Sequence, residues 1–260
     1  MYHERFYRSS FDTQRFQSIN ICDGESDLWI GWNARGENVG PDEVKSFAEK
    51  TLSVLRSEIL QYDRTHRGFI ETLEPLPQDE NAPSIICSML KAALAADVGP
   101  MASVAGAIAE YLGKALDDAF HFDEIVVENG GDFWLKINSP LSIGVYAGLS
   151  SLSGNIAVVL HADNSPLGLA CSSGTVGPSL SYGKADAALV IAKDAAAADS
   201  WATALGNRIK SQRDMEASLN WLFEDAGKIL SAESLKPLGA LIIVGDTMAA
   251  QGNITLGPAQ

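Results

Sequence analysis

Apolar residues in this chain change their period several times, and each change marks an element. Residues 15–33, RFQSINICDGESDLWIGWN, hold two short apolar runs around a Gly-containing turn, which predicts a strand pair. From Pro41 the spacing lengthens. Val44, Phe47, Leu52, Leu55 and Leu60 recur at roughly helical intervals behind two acids, so 41–62 is predicted as a helix. Three prolines in EPLPQDENAPS mark 74–84 as a surface loop. SIICSMLKAALAADVGP predicts a second helix closed at Gly99-Pro100, and MASVAGAIAEYLGKALDDA a third with many small residues. DEIVVENGGDFWLKI reads as strand, Gly-Gly turn and strand, followed by strands in SIGVYAGL and GNIAVVLHA. LGLACSSGTVGPSLSYGKADAALVIA combines a short strand, a glycine-rich loop and a buried strand. A helix around 194–211, the segment MEASLNWLFEDAGKIL and a final strand, GALIIVG, complete the pattern. Helices grouped between hairpin-like sets of strands predict an α+β fold with mixed sheets and packed helices. No internal repeat or dividing linker is evident, so residues 1–260 are expected to form one domain.

Composition narrows the function classes. With 46% hydrophobic residues in 260, the chain can bury a large core. A net charge of −14 and no basic stripe argue against nucleic-acid binding. An anionic ligand would therefore need backbone N–H groups, local basic residues or a metal. Cys22, Cys87 and Cys171 are odd in number and form no CxxC pair, which fits reduced thiols and a cytoplasmic protein. The charged first residues carry no apolar signal-like core, and no apolar run is long enough to span a bilayer.

Several clusters carry candidate chemistry, each with a plainer alternative. Gly130-Gly131, flanked by Glu128 and Asp132, is either a hairpin turn or a backbone that must approach a ligand closely. The segment 171–186 holds Ser172, Ser173, Gly174, Thr175, Ser179 and Ser181 and ends in Lys184 and Asp186. Such hydroxyls and backbone amides can cradle phosphate, although the GxxxxGK[ST] pattern is absent. Cys171 is either an inert buried thiol or a reactive one, and no neighbouring base is evident. Of the four histidines, which share no ligand spacing, His161 after NIAVVL is the candidate general base. In ADSWATALGN, Asp199 and Thr203 are four residues apart and so share a helical face. They are either a helix-terminal acid and a hydroxyl bonded back to a carbonyl, or two oxygen ligands of magnesium.

Three of these segments, in order, resemble the ApbE family of Mg-dependent FAD:protein FMN transferases. SVAGAIAEYLGKAL is similar to that family's small-residue helix, EIVVENGGDFWL to its strand–GG–acid–strand element, and ACSSGTVG with ADSWATALGN to its TSG loop and late helix. The likeness is closer still to an ApbE-like family related to those transferases, and there it runs from SDLWIGW onward. With the transferases themselves it spans about residues 100–210. The resemblance implies a T-fold-related α+β domain with a pocket for FAD or another phosphorylated small molecule. It implies magnesium held by Asp199, Thr203 and the backbone carbonyl of Ala105, with Glu128, Gly130, Gly131 and Asp132 lining the pocket. Ser172, Ser173, Gly174 and Thr175 match the phosphate loop. An acceptor protein would receive FMN. The transferases carry a histidine between loop and late helix, and residues 175–198 contain none. His161 or Asp186 would have to supply a base in its place. The resemblance also implies two other roles. One is sulfur mobilisation towards homocysteine, with Cys171 as the residue to watch; the other is a non-catalytic flavin-binding or assembly protein.

Overall fold

The computed structural model describes residues 15–34, 39–175, 182–227 and 230–259. Strands β1 (Gln17–Asp23) and β2 (Ser26–Asn33) form the first hairpin. Helices α1 (Pro41–Thr65), α2 (Ser84–Ala96) and α3 (Val104–Phe120) follow, then β3 (Glu124–Asn129) and β4 (Asp132–Lys136). Strands β5 (Leu141–Gly144) and β6 (Ile156–Leu160) precede β7 (Leu167–Ser172) and β8 (Ala187–Ala192). Next come α4 (Ala195–Arg208) and α5 (Met215–Asn220), the latter continued by a π-helical turn over Trp221–Ala226. The last strands are β9 (Pro237–Val244), β10 (Thr247–Gly252) and β11 (Thr255–Pro258).

Eight strands form one sheet in the order β1-β2-β3-β4-β7-β8-β9-β10, and β11-β6-β5 form a second. The chain is thus α+β, but the sheets are not mixed: every described pairing is antiparallel. The reason lies in the connections. Each helical excursion leaves one strand and returns to its immediate neighbour running the other way, as from β2 to β3 and from β8 to β9. The large sheet consequently contains the pattern strand–strand–helices–strand–strand twice, a repeat of topology that the sequence does not display.

Alternation along the strands divides the core into two. Ile30, Val127, Trp134, Ala170, Val190 and Ile242 pack under the helices. Their neighbours Trp29, Val126, Phe133, Leu169, Ile191 and Ile243 pack towards the small sheet with Val158 and Leu160. The molecule is therefore three layers deep: helices, large sheet, small sheet. Among the described residues no single helix is long and apolar enough to cross a membrane.

Most predicted elements are present, with three differences. In α1, Leu60 is exposed while Ile59 and Tyr62 face the core, because the apolar stripe of a 3.6-residue period drifts off Leu60. The strand expected in SIGVYAGL stops at Gly144, and Leu149 stands in solvent. GALIIVG is not the final strand. It is followed by β10 and β11, whose burial is too slight to leave an apolar signature. Residues 176–181 of the glycine-rich loop, including Ser179 and Ser181, lie outside the described residues.

Candidate functional site

Helix α4 is the element on which the site turns. Asp194 caps it by accepting the Ala197 N–H at 2.9 Å. A run of alanines then lets it sink between α2, α3 and the sheet. Before Arg208 every residue of the helix is buried except Asp199, Thr203 and Asn207. These recur every four positions and form one stripe. Among the described residues the Thr203 hydroxyl makes no hydrogen bond.

Asp199 meets the start of α3. Its Oδ2 accepts the Gly106 N–H at 2.9 Å, and the Ala105 N–H also donates to it. These are the second and third amides of α3, which no residue of the helix carries in its own turn. The local capping residue, Ser103, instead donates its hydroxyl to the Pro100 carbonyl at 2.7 Å. Asp199 therefore supplies the cap that α3 lacks. Burial pushes its carboxyl up to about 7, against the downward pull of the two amides. Gly106 makes the approach possible: a Cβ there would run into the Ala195 carbonyl and crowd the Asp199 Cβ.

The Ala105 carbonyl accepts the Asn129 Nδ2–H at 3.2 Å. Asn129 is buried at the end of β3 and pairs with Asp132 across the two-residue turn Gly130–Gly131. Both glycines have positive φ, 74° and 102°, which explains their choice. As cross-strand partners, Asn129 and Asp132 share the helix side of the sheet, and Asp132 Oδ1 accepts the Cys171 N–H at 3.3 Å. Glu128 alternates to the other side, where its Oε1 accepts the Gly131 N–H at 2.7 Å and buttresses the turn.

At the far end of the stripe, Ser172 packs against Gly206, and Asn207 Oδ1 accepts the Tyr182 N–H at 2.9 Å. The two ends of the glycine-rich loop thus lie on the last turns of α4. Ser173 and Thr175 follow Ser172 outward. Gly174 and Thr175 are exposed, and the Ser173 hydroxyl accepts the Thr175 N–H at 3.2 Å.

Three candidates stand apart from the stripe. Asp186 accepts the Thr175 hydroxyl and the Gly245 N–H, each at 2.7 Å, so its two oxygens tie the start of the glycine-rich loop to the β9–β10 turn. His161 follows β6 in the small sheet, with Nε2 3.3 Å from the Thr255 hydroxyl. The Cys171 side chain packs with the small-sheet core, and desolvation together with the Asp132 charge pushes its thiol up to about 12.

The oxygens that the resemblance implies as ligands are the Asp199 carboxylate and Thr203 hydroxyl on α4 and the Ala105 carbonyl on α3, the last accepting from Asn129. Among the described residues no three His, Cys, Asp or Glu side chains converge to hold a metal. A cation here would thus be a hard one content with oxygen and few protein ligands, as magnesium is. A desolvated carboxylate with no basic side chain beside it fits such a role. Asn129, Glu110 and Asn207 were not singled out by spacing, because their partners come from other elements.

A family model described as AbpE bacteria matches residues 8–225. The chain belongs to this family. A UPF0280 protein of Methanothrix thermoacetophila is 43% identical over 209 residues, spanning 80% of this chain and 83% of its own length. Another, from Methanocaldococcus jannaschii, is 37% identical over 209 residues, with 80% and 82% covered. Among solved structures, apo flavinyl transferase ApbE of Pseudomonas stutzeri aligns with a TM-score of 0.59 at 12% identity over 94% of each chain. A variant of flavin transferase ApbE from Vibrio cholerae gives 0.56 at 9% identity, covering 91% of this chain and 96% of that one. At these identities the likeness establishes an ApbE-like fold for this family member.

Proposed function

We propose that this protein binds a metal-associated phosphorylated cofactor, FAD first, at the α4 stripe, and transfers FMN to an acceptor slowly or not at all. The observation that carries the reading is the Asp199–Thr203 face, the unburied side of a helix otherwise sunk in the core, with Asp199 on the Gly106 N–H at the start of α3. Asp199, Thr203 and the Ala105 carbonyl would hold magnesium. When bound, the cation supplies charge neutralisation at a diphosphate. The Gly130–Gly131 turn and the Ser172–Thr175 segment would line the cofactor from either end of the stripe. That the solved structures sharing this fold are flavin transferases supports a flavin over other phosphorylated ligands. Three free cysteines accord with a reducing, cytoplasmic setting.

Slow transfer follows from the bases. Residues 175–198 hold no histidine. His161 sits beside Thr255, and Asp186 already accepts two hydrogen bonds. General-base assistance is worth roughly 10²–10⁴-fold, so its lack slows transfer without forbidding it. A sulfur-mobilising role would need a Cys171 thiolate, which burial opposes.

The test joins two measurements: flavin absorbance after incubation with FAD and magnesium, and mass spectrometry of a threonine-bearing acceptor peptide, with Asp199→Ala alongside. Bound flavin that depends on Asp199, with little peptide modification, is the expected result. Rapid Asp199-dependent addition of FMN would make this a working transferase, and no flavin uptake would end the cofactor reading.

A further inference from the structure

Helices α3 and α4 grip each other at two points, each a carboxylate of one helix on the N-terminal amides of the other. Asp199 of α4 holds the Gly106 and Ala105 amides of α3. In return, Glu110 of α3 accepts the Ala195 N–H of α4 at 2.6 Å through Oε2, while its Oε1 pairs with Lys114. The two grips are one helical turn apart on both helices, 106 to 110 and 195 to 199, and Gly106 lets the backbones meet between them.

Glu110 does something the local cap cannot. Asp194 reaches the third amide of α4, the usual range of a capping side chain. The first amide, that of Ala195, is left for a group from outside the helix. Glu110 is only 3% exposed, and a carboxylate so buried is kept only where donors surround it. One contact between two helices fixes a distance. Two contacts a turn apart fix the register as well.

We infer that Glu110 is a positioning residue: by holding the Ala195 N–H it sets the register of α4 against α3 at which Asp199 meets Ala105 and Gly106. Glu110 does not reach the stripe itself. Its consequence for a cation rests on the reading given under Proposed function, whereas the register does not.

The decisive measurement is amide hydrogen exchange on the metal-free full chain, followed at Gly106 and, as a reference in the central sheet, at Ile30. Glu110→Ala should lower Gly106 protection about tenfold or more while Ile30 is unchanged. Glu110→Gln, whose amide oxygen can still accept the Ala195 N–H, should keep it, as should Lys114→Ala. Unchanged Gly106 protection in Glu110→Ala overturns the inference. So does an equal fall at Ile30, which would be general loosening, or an equal loss in Glu110→Gln, which would point to charge. Mn²⁺ titration by EPR then reads the site. Affinity should fall about 10–100-fold in Glu110→Ala and stay near wild type in Glu110→Gln. If the wild-type protein takes up no Mn²⁺, the cation reading falls and the exchange result alone decides the role of Glu110.

Discussion

The two faces of the eight-stranded sheet use polar groups differently. On the helix side they come in linked sets: Asn129 on the Ala105 carbonyl, Asp199 on the neighbouring amides, Glu110 on Ala195. On the small-sheet side, Cys171 sits against an apolar core, Glu128 props up its own turn, and the His161 ring lies beside the Thr255 hydroxyl. Helices bring amide-bearing ends that demand carboxylates, and where two such ends cross, carboxylates collect on main-chain amides, with Lys114 as a further partner of Glu110. Strands packed on strands present no free ends, so a buried charge there, such as Glu124, is answered by a side chain, Arg15, rather than by a helix end.

The sharpest way to break this contrast is to part the two helices. Gly106→Val would force a side chain into the Ala195 carbonyl. Overpacking of this kind costs about 1–3 kcal/mol, and urea denaturation should show a loss near the top of that range, with Mn²⁺ uptake abolished. A comparable substitution on the exposed Leu149 should do neither.

Next in size is the pH dependence of the cation. With the Asp199 carboxyl raised to about 7 by burial, protons compete for it at neutral pH, because metal needs the ionised form. Mn²⁺ affinity should therefore fall as pH drops from 8 through 7, about tenfold per unit below 7. A flat profile between pH 8 and 6 would mean that Asp199 is not the ligand.

Asp194 offers a smaller effect of opposite use. Desolvation and the Glu110 charge raise its carboxyl to about 6. Between the ordinary carboxyl range and 6 the folded state holds a proton that the unfolded state releases, so this group's contribution to stability declines as pH rises through that window. Asp194→Asn keeps an N-capping oxygen and mimics the protonated form. It should stabilise the metal-free protein by about 1 kcal/mol at pH 7.5 and by little at pH 4.5, read from thermal melts at both.

The smallest effects belong to the other face. Cys171→Ala and His161→Ala should leave flavin retention within about twofold of wild type, since neither side chain meets the stripe: Cys171 packs with the small-sheet core and His161 is exposed. Iodoacetamide at pH 8 should label exposed Cys22 well before Cys171, whose thiol lies near 12.

Much of this molecule follows from short-range signals. Amphipathic spacing locates α1, glycine pairs locate the β3–β4 hairpin, and the i, i+4 interval of Asp199 and Thr203 places them on one face of α4. These are local because helix and turn geometry depends on neighbours within a few residues. β10 and β11 escape such signals, since their residues are mostly exposed and their place depends on pairing with β9 and β6. The same holds for the site's surroundings. No spacing in the chain announces that Glu110 meets residue 195, that Asn129 meets residue 105, or that Asp199 serves as the cap of a helix 93 positions away. The sidedness of Cys171 and His161 is likewise tertiary. Alternation says that neighbouring side chains on a strand point opposite ways, but only the stacking of helices on one face and a small sheet on the other decides which way is towards the site.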